Sequence, residues 1–169
     1  MHIPTLPLAA LFLASLAAAT RQQHLSTTNA GWQYVDCGLE TDAFHLKSLT
    51  VSPDPPVPGK NLTVTVTGDV LQPIQDGAYA DITVKLGLIK LIQKTFDVCE
   101  EARNANVSVR CPVAKGTYEV KHTVKLPNEI PRAKFTVAVR GYTADDGDMV
   151  CLDLFIDFMK GPFLKAVGF

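Results

Sequence analysis

Cys37, Cys99, Cys111 and Cys151 are the residues with the widest chemical options, and their spacing narrows them. No two are separated by the two residues of a zinc-binding cysteine pair, and no histidines pair on one helix face, so a metal centre is not expected. Disulfide formation is the remaining use, with three pairings open. Cys99 and Cys111 bracket a polar stretch, Glu100 to Arg110, and Cys37 and Cys151 lie near the ends of the patterned region. The nested pairing, Cys37–Cys151 with Cys99–Cys111, is preferred on that ground. Other reactive side chains offer less. His2 and His24 precede the patterned region, leaving His45 and His122, and His122 falls on the apolar side of an alternating segment, the place of a core or rim histidine. Asp145, Asp146 and Asp148 could present oxygens to calcium, but few further ligands stand nearby and a solvated turn accounts for them. Asp153 and Asp157 share one strand face, two steps apart, without a cleft for a hydrolytic pair to line. There is no Gly-x-Ser-x-Gly elbow, His-Glu-x-x-His, phosphate loop or dinucleotide fingerprint. Neither an enzyme nor a cofactor is expected.

Leu6 to Ala18 is an apolar run ending in Ala17-Ala18-Ala19, with the small residues that signal peptidase requires. It is shorter than the roughly 20 residues of a bilayer span. Residues 1–19 are therefore expected to be a secretory leader, which favours disulfides. Residues 20–31 lack periodicity and are expected to be a pro-segment or disordered arm. The remainder suits one domain with its own core. The formal net charge is −1, with lysines and arginines scattered, so nucleic acid is not an expected partner. Asn61-Leu62-Thr63 and Asn106-Val107-Ser108 are N-glycosylation sequons, expected to use Asn61 and Asn106.

Period-two alternation organises nearly everything else. Leu62, Val64 and Val66 alternate with threonines; Ile82, Val84 and Leu86 alternate with Asp81, Thr83 and Lys85. Tyr118, Val120, His122, Val124 and Leu126 do so against charged and hydroxyl residues, as do Phe135, Val137 and Val139, and then Val150, Leu152, Leu154, Ile156 and Phe158. Such segments are strands with one wet and one apolar face. Shorter strands are expected at Trp32–Cys37 and Phe44–Val51. Ser52-Pro53-Asp54-Pro55-Pro56-Val57-Pro58-Gly59 is a rigid connector, and Asp146-Gly147 marks a hairpin. Gly87 to Glu101 fits neither period and is read as a continued strand with a bulge near Gly87, with a helical turn at Asp97–Arg103 as an option. About seven or eight strands without a long amphipathic helix define an all-β, immunoglobulin-like two-sheet sandwich. The single tryptophan, Trp32, precedes Cys37 instead of following it, so this is not a true immunoglobulin domain.

Several motifs in order carry a family likeness. These are Tyr34-Val35-Asp36-Cys37-Gly38, Ser52-Pro53-Asp54-Pro55-Pro56 with Gly59, Asp81 to Leu88, Lys94 to Cys99, Cys111-Pro112, Gly116-Thr117-Tyr118 and Met149 to Asp153. Together they resemble the ML (lipid-recognition) domain family, and within it the fungal phosphatidylglycerol/phosphatidylinositol transfer proteins, relatives of the second Niemann–Pick type C protein and the mite group-two allergens. The likeness covers residues 32–160, leaving 161–169 as a C-terminal tail. It implies a sandwich whose sheets part to hold one lipid, with the same nested disulfides. Relatives often carry a third bridge near the first cysteine; this chain lacks it, and the Pro-rich turn is a candidate replacement.

The expected cavity wall is Leu62, Val64, Val66, Ile82, Val84, Leu86, Tyr118, Val120, Val124, Phe135, Val137, Val139, Leu152, Leu154 and Ile156. Ile130, Pro131 and Lys134 are the expected rim. A packed core would use the same apolar residues, and only the family likeness favours a hollow one. The implied function is non-enzymatic binding and transfer of a phospholipid (phosphatidylglycerol or phosphatidylinositol) or a sterol. It would be carried out by a monomer in transient contact with membranes, in the vacuole lumen or outside the cell. The alternative is a secreted interaction module that presents lipid to a protein receptor.

Overall fold

A computed structural model describes residues 25–27 and 31–159. The expected leader, most of the expected arm, and the tail lie outside the described residues. Among the described residues, nine strands and one short helix follow in order: β1 (Leu25–Thr27), β2 (Trp32–Asp36), β3 (Phe44–Ser52), β4 (Asn61–Val70), β5 (Tyr79–Leu86), β6 (Ile89–Asp97), α1 (Val98–Asn104), β7 (Gly116–Lys125), β8 (Lys134–Tyr142) and β9 (Asp148–Asp157). They form two antiparallel sheets, one of six strands in the order β1-β2-β9-β8-β5-β6 and one of three in the order β3-β4-β7. The two-sheet sandwich read from the alternation is the fold observed.

Two segments depart from the sequence reading. Part of the arm forms β1, which pairs Leu25 with Val35 and Thr27 with Gln33. The segment after Gly87 is not a continued strand. Leu86 pairs with Ile89 across a two-residue turn, Gly87-Leu88, so β5 and β6 form a hairpin. Gly87 takes a φ of 58°, the left-handed conformation such turns place on glycine. The bulge lies within the hairpin, where the register slips between Val84 and Lys85. The optional helical turn is real: α1 is capped by Asp97, whose carboxylate accepts the Glu100 N–H at 2.7 Å.

Two clusters weld the sheets together. Trp32, Tyr34, Leu49 and Leu152 form one, joined by Val51, Val64 and Val66 from the small sheet and Val139, Leu154 and Ile156 from the large one. Ala43, Val70, Ile74, Ala78, Val113 and Met149 form the other, with Phe44, Val98, Cys111 and Tyr118 packed against it. Both disulfides lie toward this second cluster. Cys37–Cys151 ties the end of β2 to β9, and Cys99–Cys111 ties α1 to the loop before β7. The opposite end carries the Gly87-Leu88 turn and two connectors. There the Gly59 N–H bonds the Pro127 carbonyl and the Leu126 N–H bonds the Lys60 carbonyl. Gly59 has a φ of 77° and sits against Asn128, so a side chain there would be both strained and obstructed. The Pro-rich connector is thus held by backbone bonds, but at the end of the sandwich opposite Cys37, away from the place of a bridge near the first cysteine.

On the outer face of the small sheet, a register shift between Leu46 and Ser48 sets Lys47 beside Asp69 at 2.7 Å. The Lys47 hydrogen bond, followed by one from Thr117, holds the Asp69 carboxyl below its ordinary value. A depressed folded-state value contributes stability that is complete above the unfolded-state value and is lost as pH falls through the folded-state value. Asp69→Asn is therefore expected to be slightly less stable than the parent at neutral pH, the effect being small because exposed pairs contribute little, and to converge with it as pH falls below about pH 4, giving a flatter acid limb in a urea-midpoint titration. An unchanged acid limb would refute the assignment.

Candidate functional site

The register decides which side chains face inward. Across the large sheet Ile82 pairs with Val139 and Val139 with Leu152; Val84 pairs with Val137 and Val137 with Leu154; Leu86 pairs with Phe135 and Phe135 with Ile156. In the small sheet Val64 pairs with His122, Val66 with Val120 and Leu62 with Val124. Directly paired residues share a face. Trp32, Leu49 and Leu152 mark that face as the interior, so all of these point into the sandwich.

The expected wall then divides. Val64, Val66, Val139, Leu154 and Ile156 pack with the Trp32 cluster, Leu152 is a member of it, and Tyr118 packs with the disulfide-end cluster. These residues belong to solid core. Leu62 and Phe135 are buried, the latter edge-on to Phe158 with ring centroids 5.7 Å apart. Ile82, Val84, Leu86, Val120, Val124 and Val137 belong to neither cluster. They come from β5, β8 and β7, the side of the sandwich where both sheets end in free edges: β6 on one and β7 on the other. Val124 points inward yet is 38% exposed, and Ile92, paired with Val84, is 54% exposed. Inward-facing apolar side chains reached by solvent mean that the sheets part along the β6 and β7 edges. We take this partly open aliphatic face as the candidate cleft, with the Ala43 cluster packed at the disulfide end.

Polar groups enter this cleft at its lips. His122 is half-buried on the inward face of β7. Lys94 lies on the inward face of β6, paired with Ile82, with its ammonium 4.5 Å from the centre of the Phe96 ring. Sequence reasoning missed Lys94 and Ile92, since β6 was not recognised as a separate strand. The rim is also rearranged. Ile130 and Pro131 lie in the connector at the open end, but Lys134 points away from the interior, because its neighbour Phe135 points inward. Lys134 stands 3.9 Å from Asp157 and lines a separate hollow of about 390 Å³ with Gln33, Thr136 and Phe155 across the outer face of the large sheet.

The other candidate chemistry is occupied elsewhere. Asp153 accepts a hydrogen bond from Arg140 at 2.7 Å on the outer face, and Asp146 accepts one from the Tyr79 hydroxyl at 2.9 Å at a hairpin tip. Asp76 and the sulfurs of Cys99 and Cys111 fall within 4.8 Å of one another, but those sulfurs are bonded together and supply no thiolate. Asn61 and Asn106 are both exposed.

The fold and cleft define a disulfide-tied β-sandwich with an apolar slot opening between the free edges of its sheets. The family model of the ML domain matches residues 31–158, and the chain belongs to that family. A phosphatidylglycerol/phosphatidylinositol transfer protein of Cryptococcus neoformans var. neoformans is 69% identical over 144 residues, spanning 85% of this chain and 79% of that one. Its counterpart in Mycosarcoma maydis is 49% identical over 132 residues, 78% of this chain and 68% of that one. Among solved structures, chicken MD-1 complexed with lipid IVa superposes with a TM-score of 0.58 at 14% identity, over 80% of this chain and 96% of that one. A Niemann–Pick type C2 protein from the Japanese carpenter ant gives 0.57 at 15% identity, over 72% and 96%. At such identities the structural matches speak for the shared sandwich.

Proposed function

We propose that this protein shelters the hydrocarbon of a single lipid in the cleft between its sheets and carries it between membranes without altering it. The observation that carries this reading is the set of inward-facing aliphatic residues on β5, β8 and β7 that the packed clusters leave open. Moving an acyl chain through water exposes about 0.8 kcal/mol per methylene, on the order of 12 kcal/mol for a chain of some sixteen carbons. A dry aliphatic slot offsets that cost and imposes no direction on a flexible tail. The names of the relatives favour phosphatidylglycerol or phosphatidylinositol as cargo. A sterol would suit the same walls. Carriage of this kind needs no nucleophile or general base, and the open part of the wall is aliphatic apart from His122 and Lys94 at its lips.

The cysteine pairs suit an oxidising compartment, the vacuole lumen or the cell exterior. We read the carrier as a monomer, because its six-strand and three-strand layers bury a core within one chain. Native mass spectrometry of protein purified from its own host tests the reading: one lipid mass per chain is the expected result. A chain free of lipid that binds a protein receptor instead would favour the interaction-module alternative and overturn the carrier.

A further inference from the structure

The hollow of about 390 Å³ on the outer face of the large sheet has no part in the lipid reading. Strand parity explains its shape. Trp32, Ile156, Phe135 and Leu86 pair across the sheet and face inward, so the rows on either side of them face out. One outer row runs Gln33, Phe155, Thr136, Lys85 and Lys90 across five strands. The other starts at Gly31, continues through Asp157 and Lys134, and ends at Gly87. Glycine at both ends of that second row leaves room, and the hollow falls within the roughly 300–1,000 Å³ of small-molecule sites. Phe155 is half-buried at its centre, with the Gln33 amide on one side and the Thr136 hydroxyl on the other. Among the described residues, neither of those two side chains has a hydrogen-bond partner. Exposed Lys85, Lys90 and Lys134 stand along the β8–β6 side. Lys85 and Lys90 face each other directly, and like charges so placed destabilise a sheet unless an anion intervenes. Against these three ammonium groups the hollow has one carboxylate, Asp157, which accepts the Met159 N–H at 2.9 Å and lies 3.9 Å from Lys134.

We propose that this hollow is a second binding site and that its ligand is an acidic oligosaccharide. A pyranose ring has an apolar C–H face and a rim of hydroxyls. The Phe155 ring takes the face, and the flanking amide and hydroxyl, each able to donate and to accept, take the rim. The lysines then complement a sugar carboxylate, which relieves the repulsion between Lys85 and Lys90. A neutral sugar would leave that repulsion in place. An acidic peptide would answer the lysines without a ring to lie on Phe155 or a run of hydroxyls for Gln33 and Thr136. The site lies across the sheet from the cleft, so it is independent of the carrier reading, and one molecule can hold both ligands.

The test is titration calorimetry of the intact protein with hexagalacturonate, cellohexaose and hexaglutamate, at low and high salt. Hexagalacturonate should bind, and more weakly as salt rises. The neutral sugar and the acidic peptide should each bind at least about tenfold more weakly. Lys85→Gln with Lys134→Gln should lower hexagalacturonate affinity about tenfold. Phe155→Ala should lower it similarly, with circular dichroism and a urea midpoint to show that the half-buried site still folds. Thr136→Asp puts a carboxylate into the hollow and should abolish saccharide binding while lipid transfer continues. Val124→Asp, on the inward face of β7, should leave saccharide binding at the parent level. No binding of hexagalacturonate would overturn the proposal, as would hexaglutamate or cellohexaose binding equally well. Parent-level binding by Thr136→Asp would place the saccharide elsewhere and overturn it too. Lipid occupancy by native mass spectrometry is a separate readout. An occupied protein that ignores hexagalacturonate sinks the second site alone, and an empty protein that binds it sinks the carrier alone.

Discussion

Val137→Asp is expected to lower lipid transfer between vesicles at least about tenfold, while Thr136→Asp leaves it near the parent rate. The two residues are neighbours on β8 and differ only in the face they present. Val137 lies between Val84 and Leu154 on the inner surface, and Thr136 lies between Lys85 and Phe155 on the outer one. A carboxylate among aliphatic walls must stay hydrated, which brings water to the place where a lipid tail would lie. Because a charge so deep can also unfold a protein, Val124→Asp provides a milder version. That site faces the cleft but is already partly wet, so the fold should survive while transfer drops. Circular dichroism and a urea midpoint keep the two effects apart. Full transfer by folded Val124→Asp and Val137→Asp proteins would mean that no lipid occupies this side of the sandwich.

The second large effect concerns the cross-links. Replacing Cys37 and Cys151 by serine removes a bridge spanning 114 residues of sequence, and replacing Cys99 and Cys111 removes one spanning 12. Chain-entropy arithmetic gives losses of about 5 and about 3 kcal/mol respectively. For a domain whose whole margin is about 5–15 kcal/mol, the first loss approaches unfolding at physiological temperature. The order of the two urea midpoints is the sharper expectation. A Cys99/Cys111 variant less stable than the Cys37/Cys151 variant would show that local packing around α1, where Cys99 is buried, outweighs the length of loop closed.

What the sequence revealed followed the wet–dry contrast of each strand. β4, β5, β7, β8 and β9 have one face toward the interior, so their residues alternate and could be read. β6 is a free edge whose residues are nearly all exposed on both faces, so Ile89, Leu91 and Ile92 kept no period and the hairpin at Gly87 passed for a bulge. The Gly-Leu pair at the turn was the available signal, and it is weaker than Asp146-Gly147. β1 was missed because three residues are too few to show a period. The division of the inward face into core and cleft was beyond pattern reading altogether. Val139 and Val137 are the same residue type two positions apart on one strand, yet only Val139 packs with the Trp32 cluster. That difference depends on how far apart the opposing sheets stand, a distance that lies between strands remote in sequence. The misplaced rim has a simpler cause: the parity of Phe135, which faces inward, already sets Lys134 on the opposite face.

The unpaired margin of β6 has a further consequence for solubility. A long apolar strand with free backbone donors and acceptors invites pairing with the same strand of another molecule, the first step toward fibrils. Two features of this strand oppose that. The register slip opposite Val84 and Lys85 breaks the flat ladder a newcomer would need, and Lys90 and Lys94 place repelling charges along it. Lys90 and Lys94 would therefore keep the strand from its own kind, and neutralising them in the laboratory would lower colloidal stability.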